Sequence, residues 1–237
     1  MTTDLAVIIP SRGRPGDVAR TAEAFKATGA DDVPVIYAVE DNDPTIGDYR
    51  DAVDALFGYG EVLAVVGRAM APSINLAARH VVADLNPYAL AVLNDDHVPA
   101  TDGWAGMLVS ALRNFSPAVG MTYPDDGYQG PKLSTAWAVT SSWVTALGRM
   151  IPARVGHLFA DNAVMDLAAA ARCMTYMPAV RIPHHHPAAG LAEWTSQYRE
   201  VNSRERYAAD RAIFRHWQGS AKRRAQLAAL REVIARG

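Results

Sequence analysis

The 237-residue chain has a single cysteine, Cys173. One thiol excludes an internal disulfide framework and any zinc site built on cysteine clusters. Cys173 sits in an apolar run, where a lone thiol behaves as a small buried hydrophobe. Long apolar runs are missing too. None approaches the roughly 18 residues of a membrane span, and the stretch Leu5 to Ile9 is too short for a secretion leader. The reading is a soluble, cytoplasmic protein with no transmembrane segment. The chain also lacks Gly-x-Gly-x-x-Gly and Gly-x-x-x-x-Gly-Lys-Ser/Thr, so neither a Rossmann dinucleotide site nor a P-loop is supported. Charge of one sign is lacking overall: the net is -2, which carries no message about partners.

What is present is a large apolar fraction, 50% of residues, enough for one large or two small domains with a proper core. The charge is unevenly placed. Residues 193–237 hold ten Lys/Arg against five Asp/Glu, a net of +5, and the rest of the chain carries -7. We expect residues 1–190 to form an α/β domain and 191–237 a helical, basic C-terminal extension. A basic helical tail is most simply a solvated face. It also suits a polyanionic acceptor, such as nucleic acid with hydroxylated bases, or a membrane surface, and such binding would fall steeply with salt.

The chain is organised around Ala89-Leu90-Ala91-Val92-Leu93-Asn94-Asp95-Asp96-His97. A short apolar run reads as a strand covered on both faces. In an open α/β sheet, ligands bind at the carboxyl ends of such strands. Two adjacent carboxylates there call for a cation or hydrogen-bond donors; the plainer reading is an acidic turn. Upstream, strands are expected at Leu5 to Ile9, stopped by Pro10, at Val33 to Val39, and at Glu61 to Val66. Helices are expected from Pro15 to about Thr28, Gly47 to Phe57, and from Pro72 through Val82. A further helix spans about Thr101 to Phe115. This alternation predicts a mostly parallel, doubly wound sheet. Downstream, Tyr123 to Pro131 reads as a loop, Leu133 to Val139 as a strand, and Ser141 as the cap of a helix to Met150. Asp161 begins another helix. Cys173 to Ile182 reads as a strand, and the tail as helices with a break at Gly219-Ser220.

Three polar strand ends, Pro10 to Arg14, Glu40 to Asp43 and Asn94 to His97, thus fall at one edge of one sheet. Ser11-Arg12-Gly13-Arg14 offers backbone N–H groups at a helix start and two guanidinium groups, which suits a diphosphate as well as an ordinary turn. The ordered set Val7-Ile8-Ile9-Pro10-Ser11-Arg12, Asp41, Arg68 with Asn75, Asn94-Asp95-Asp96, Asp161-Asn162 and a His before Pro resembles the family 2 type of GT-A glycosyltransferases. The resemblance covers about Leu5 to Pro187. It implies a GT-A, Rossmann-like fold with a mostly parallel central sheet flanked by helices.

The resemblance also implies roles. Pro10, Ser11, Arg12 and Arg14 would line the nucleotide of a nucleoside-diphosphate sugar. Asp41 would hold the base, with Glu40 and Asp43 as alternatives, and Arg68 would approach the diphosphate, with Asn75 on the helix that follows. Asn94, standing where many relatives have Asp, would flank Asp95 at the ribose. Asp96 would bind Mn²⁺ or Mg²⁺, whose charge assists departure of the diphosphate, with His184 or His186 as second ligand. Asp161 would be the general base of an inverting transfer, and Asp166 is the substitute for it. Successive strand residues point to opposite faces, so His184 and His186 can share a metal where His185 cannot; zinc, or an exposed loop, are the other readings. Trp104, Trp137 and Trp143 read as packing, and the latter two also as an acceptor groove. A nucleotidyltransferase of related fold, or a non-catalytic nucleotide-sugar binding module, are the alternative functions.

Overall fold

The computed structural model describes residues 4–66, 69–115 and 119–236. Arg68 lies outside the described residues. One seven-stranded sheet runs through the protein, formed by β1 (Leu5–Ser11), β2 (Val35–Glu40), β3 (Gly60–Val65), β4 (Ala89–Val92), β5 (Met121–Asp125), β6 (Trp137–Thr140) and β7 (Met174–Arg181). Its order is β3-β2-β1-β4-β6-β5-β7. The β3-β2-β1-β4 half is parallel, β6 is antiparallel to both neighbours, and β5 pairs parallel with β7.

The helices are α1 (Asp17–Ala27), α2 (Ile46–Leu56), α3 (Met70–Asp84), α4 (Trp104–Arg113), α5 (Ser141–Leu147), α6 (Ala160–Ala171), α7 (Ser196–Val201), α8 (Arg204–Gln218) and α9 (Ala221–Ala235). Side chains of a strand alternate between faces, and β1 shows it. Ala6 and Ile8 pack with α3, α5 and α6, whereas Leu5, Val7 and Ile9 pack with α1, α2 and α4. The inner strands are therefore buried on both faces, which is why β1, β2 and β4 read as largely apolar runs, whereas the edge strands β3 and β7 carry exposed residues. Trp217 of α8 and Leu230 of α9 join the first of these clusters, so the 191–237 segment contributes to the same core as the sheet. No described helix is long and apolar enough to cross a membrane.

Several local expectations are corrected. Pro10 does not stop β1: it pairs with Ala38, and the strand runs to Ser11. The N–H of Val7 donates to Pro34 O beside β2, so by alternation the nitrogen of Pro10 faces β4, which has ended at Val92. No ladder bond is lost there. The Tyr123 loop begins as strand β5, and only Trp137–Thr140 of the expected Leu133 strand pairs. β6 reverses direction, which makes the sheet mixed. Thr140, not Ser141, is the N-cap of α5. Trp104 and Trp143 are fully buried, donating from their indole N–H to Thr28 Oγ1 and Met150 O. The break at Gly219-Ser220 is present, with Ser220 capping α9.

Candidate active site

The carboxyl ends of β1, β2 and β4 open into a cavity of about 790 Å³. Its wall includes Pro10, Ser11, Arg12, Arg14, Glu40, Asn94, Asp95, Asp96, Asp161, His184 and His186. Distant parts of the sequence meet here because the sheet aligns their strand ends.

Asp95 and Asp96 diverge. Asp95 is 1% exposed; its Oδ2 accepts from Ser11 Oγ at 2.5 Å and its Oδ1 pairs with Arg14 Nη2 at 2.7 Å. Ser11 Oγ also lies 2.6 Å from the Tyr49 hydroxyl, which in turn accepts from the Arg14 backbone N–H. Burial pushes the Asp95 carboxyl up, and the Arg14 guanidinium opposes that. Asp96 turns the other way. Its Oδ2 accepts from the Tyr198 hydroxyl of α7 at 2.8 Å, and its Oδ1 lies 3.2 Å from His184 Nε2. Burial alone would raise the Asp96 carboxyl. The adjacent His184 and the Tyr198 hydroxyl outweigh it and hold the group below the usual carboxylate range.

Backbone pairing brings Asp96 and His184 together. Val98 N–H donates to Pro183 O, His185 N–H to Asp96 O, and His184 N–H to Asp126 O. The 95–98 turn and the 183–186 segment are thus stitched across, with His97 bridging His184. Asp96, His97 and His184 offer ligand atoms within 4.8 Å of one another. His97 is committed elsewhere. Its Nδ1 accepts the Asn94 N–H at 2.8 Å, and burial pushes the ring down to about 3, so it is neutral with its proton on Nε2. That proton faces Thr135 Oγ1 at 3.2 Å, and Thr135 donates to Asp126 Oδ2 at 2.8 Å. Asp126 Oδ1 accepts three backbone N–H groups, from Tyr128, Gln129 and Gly130. His97 and Asp126 are therefore a buried framework beneath the site.

Asp96 Oδ1 and His184 Nδ1 are buried with no hydrogen-bond partner among the described residues. The 3.2 Å approach of Asp96 Oδ1 to His184 Nε2 is an ion-pair distance without hydrogen-bond alignment. Two donors at neighbouring corners of an octahedral cation, with bonds of about 2.0–2.1 Å, stand about 3 Å apart. The pair fits a hard divalent cation in spacing and in donor type. His186 accepts the Ala188 N–H on Nδ1 and packs its ring against Tyr198, beside the pair and not in it.

Asp161 is the second residue of α6, whose N-cap is Phe159. Asp161 Oδ1 accepts the Asn162 N–H at 2.8 Å, and burial pushes its carboxyl up to about 6. Asp166 does not line the cavity: its two oxygens take Gln218 Nε2 and Arg223 Nε. Asn75 is not brought to the cavity either. Its Oδ1 accepts the N–H groups of Met150 and Ile151, and its Nδ2 donates to Ile151 O, so it fastens α3 to the loop after α5. Of the acids ending β2, Glu40 is buried on the wall with Arg12 at 3.5 Å. Asp41 is exposed and outside the lining. Asp43 clamps the Gly13 and Thr45 N–H groups. Trp137 lines the cavity.

Sequence reasoning missed Tyr198, Asp126 and Asp210. Asp210 has a visible signal: with Phe214 and Trp217 it occupies i, i+4 and i+7 of α8, a carboxylate on the apolar stripe of a polar helix. Tyr198, one tyrosine in a polar tail, has none.

No protein-family model and no curated protein matches the chain. Solved structures do. The mannosyltransferase PcManGT from Pyrobaculum calidifontis, in complex with GDP-Man and Mn²⁺, is 14% identical over 100% of this chain and 74% of its own, with a TM-score of 0.65. Glucosyl-3-phosphoglycerate synthase from Mycobacterium tuberculosis, in complex with Mn²⁺, UDP and phosphoglyceric acid, is 11% identical over 90% and 78%, at 0.58. A cytidylyltransferase from Leptospira borgpetersenii is 12% identical over 74% and 76%, at 0.53. At such identities the likeness is one of fold, and the fold is that of the GT-A glycosyltransferases.

Proposed function

We propose that the chain is a metal-dependent glycosyltransferase that moves a sugar from a nucleoside-diphosphate sugar to an acceptor hydroxyl, with inversion. The observation that carries this is the 3.2 Å approach of Asp96 Oδ1, a buried oxygen with no hydrogen-bond partner among the described residues, to His184 Nε2, in the same cavity that Asp161 lines. Asp96 and His184 would hold Mn²⁺ or Mg²⁺. Bound there, the cation supplies charge neutralisation to the departing diphosphate.

The other steps belong to the chain. Arg14, held by Asp95 and Tyr198, and Arg12 at the mouth direct positive charge toward the phosphates. Pro10 and Ser11 form the wall beside them, and Glu40 ends β2 where the base would lie. Asp161 takes the proton of the acceptor hydroxyl. The acceptor oxygen bonds to the anomeric carbon from the face opposite the diphosphate. The bond from that carbon to the phosphate oxygen breaks, and its electron pair leaves with the nucleoside diphosphate. Asp161, with a carboxyl near 6, is ionised at neutral pH yet basic enough to accept that proton. Arg223 and Gln218 hold Asp166, which favours Asp161 as the base.

The cytidylyltransferase likeness favours one second reading, nucleotidyl transfer on the same fold. The test is product analysis: the chain is incubated with GDP-, UDP- and ADP-sugars and Mn²⁺, and separately with nucleoside triphosphates and a sugar phosphate. Release of nucleoside diphosphate supports the proposal. Release of pyrophosphate supports the second reading, and neither product supports a binding module.

A further inference from the structure

We propose that Asp210, on the C-terminal helix α8, is a positioning residue for Asp161, acting through the backbone of residues 156–159. The proposal rests on the reading of Asp161 as the base. Asp210 is 6% exposed. Its Oδ1 accepts the Gly156 N–H at 3.1 Å, and its Oδ2 accepts those of His157 at 3.0 Å and Leu158 at 2.9 Å. Consecutive peptide groups of the turn leading into α6 thus converge on one carboxylate. Buried N–H groups need partners, and charged acceptors make the stronger bonds. Gly156 O is held as well, by the Ala71 N–H of α3.

The next residue shows that this turn is held in an unfavourable shape. Phe159, the N-cap of α6, has φ +65° and no side-chain cap bond. A bulky residue keeps a left-handed conformation only where its surroundings over-determine it. Here they do: the Phe159 ring packs on Tyr207 at 5.1 Å and stacks on Phe214 at 5.4 Å, both from α8. Tyr207, Asp210, Phe214 and Trp217 form one face of α8. Trp217 fixes that face to the core, and the other members grip the turn. Asp161 follows two residues after Phe159, so its placement in the cavity is set by a helix some fifty residues downstream.

A fold clamp with no link to Asp161 would weaken binding and stability without a preference for the transfer step. The experiment uses the full chain and the variants Asp210→Asn, Asp161→Asn and the double variant. For each, kcat, donor KM, nucleoside-diphosphate Kd with Mn²⁺, and Tm are measured. Asn is isosteric but turns an NH₂ toward peptide N–H groups. Asp210→Asn is expected to lower kcat on the order of 10- to 100-fold, the cost of a misplaced group, with donor KM and Kd within about twofold. The double variant should be no slower than Asp161→Asn, because both changes act on one step. Equal slowing by Asp210→Asn in the Asp161→Asn background, or a parallel rise in KM and Kd, overturns the positioning role. Wild-type turnover by Asp161→Asn overturns the reading of the base on its own evidence, and this proposal with it. If Asp210→Asn does not fold, Phe159→Ala loosens the same turn with the carboxylate kept, and the same split in kcat is required.

Discussion

Tyr198 donates its hydroxyl hydrogen to Asp96 Oδ2 at 2.8 Å while its oxygen accepts from Arg14 Nη1 at 2.9 Å. One side chain from α7 thus links the proposed cation ligand to the proposed diphosphate-binding arginine. A hydrogen bond to Asp96 competes with a cation for the same carboxylate. We predict that Tyr198→Phe, which keeps the ring under Arg14, binds Mn²⁺ about three- to tenfold more tightly without nucleotide, the worth of one net hydrogen bond. Titration calorimetry with Mn²⁺ checks it, and unchanged or weaker binding refutes the competition.

Asp161 gives a pH prediction with a sign. Its carboxyl is raised to about 6 by burial, so the transfer rate should fall about tenfold per pH unit below 6 as the base becomes protonated. Asp161→Asn should lose that limb and about 100-fold or more in rate, with donor affinity retained. Stability moves oppositely. A raised carboxyl pKa favours the folded state below about 4, and that contribution is lost as pH rises through about 6. The Tm of Asp161→Asn relative to wild type should therefore increase between pH 4 and 6 and then level off.

The cation prediction is direct. Chelation by EDTA should abolish transfer and Mn²⁺ should restore it. Asp96→Ala should be inactive at any Mn²⁺ concentration while keeping its circular dichroism spectrum, because the fold uses the backbone oxygen of Asp96, which accepts from His185 N–H. Full activity in EDTA would remove the cation from the reaction.

The tail gives a stability prediction. Leu230 is fully buried in the larger cluster and Trp217 nearly so. Leu230→Ala should cost about 2–5 kcal/mol, the range for deleting a buried leucine, measured by urea denaturation. A chain ending near residue 190 should fail to fold cooperatively. A cooperative, wild-type-like transition for that truncation would show the tail to be dispensable to the core.

The parallel half of the sheet and the polar ends of β1, β2 and β4 were legible because both-face burial writes apolar runs, and those runs end where polar residues begin. Asp96, with His184 or His186, was a candidate ligand set through the resemblance to the glycosyltransferases. Their partners were not legible. Tyr198 reaches Asp96 across 102 positions of sequence, and nothing local marks such a contact. The reversal of β6 was hidden because its four residues, buried throughout, carry the same pattern in either direction. Asn75 misled for the opposite reason: an amide on a helix after β3 fits a ligand contact or a loop clamp equally well until its acceptors are known. Pro10 reads as a terminator by rule, and only its neighbour's earlier end makes it harmless.

The cavity is lined by two separate stretches of the chain. Residues 10–96 supply the strand ends, and residues 128–210 supply Tyr128, Phe159, Asp161, His184 and residues of α7 and α8. Within the proposed function, the grip on the donor draws on both stretches, since His184 and Tyr198 of the later one meet Asp96 and Arg14 of the earlier one. Exchange of the later stretch as a block would therefore disturb donor chemistry together with the recipient, so the two tasks are not separable along the chain.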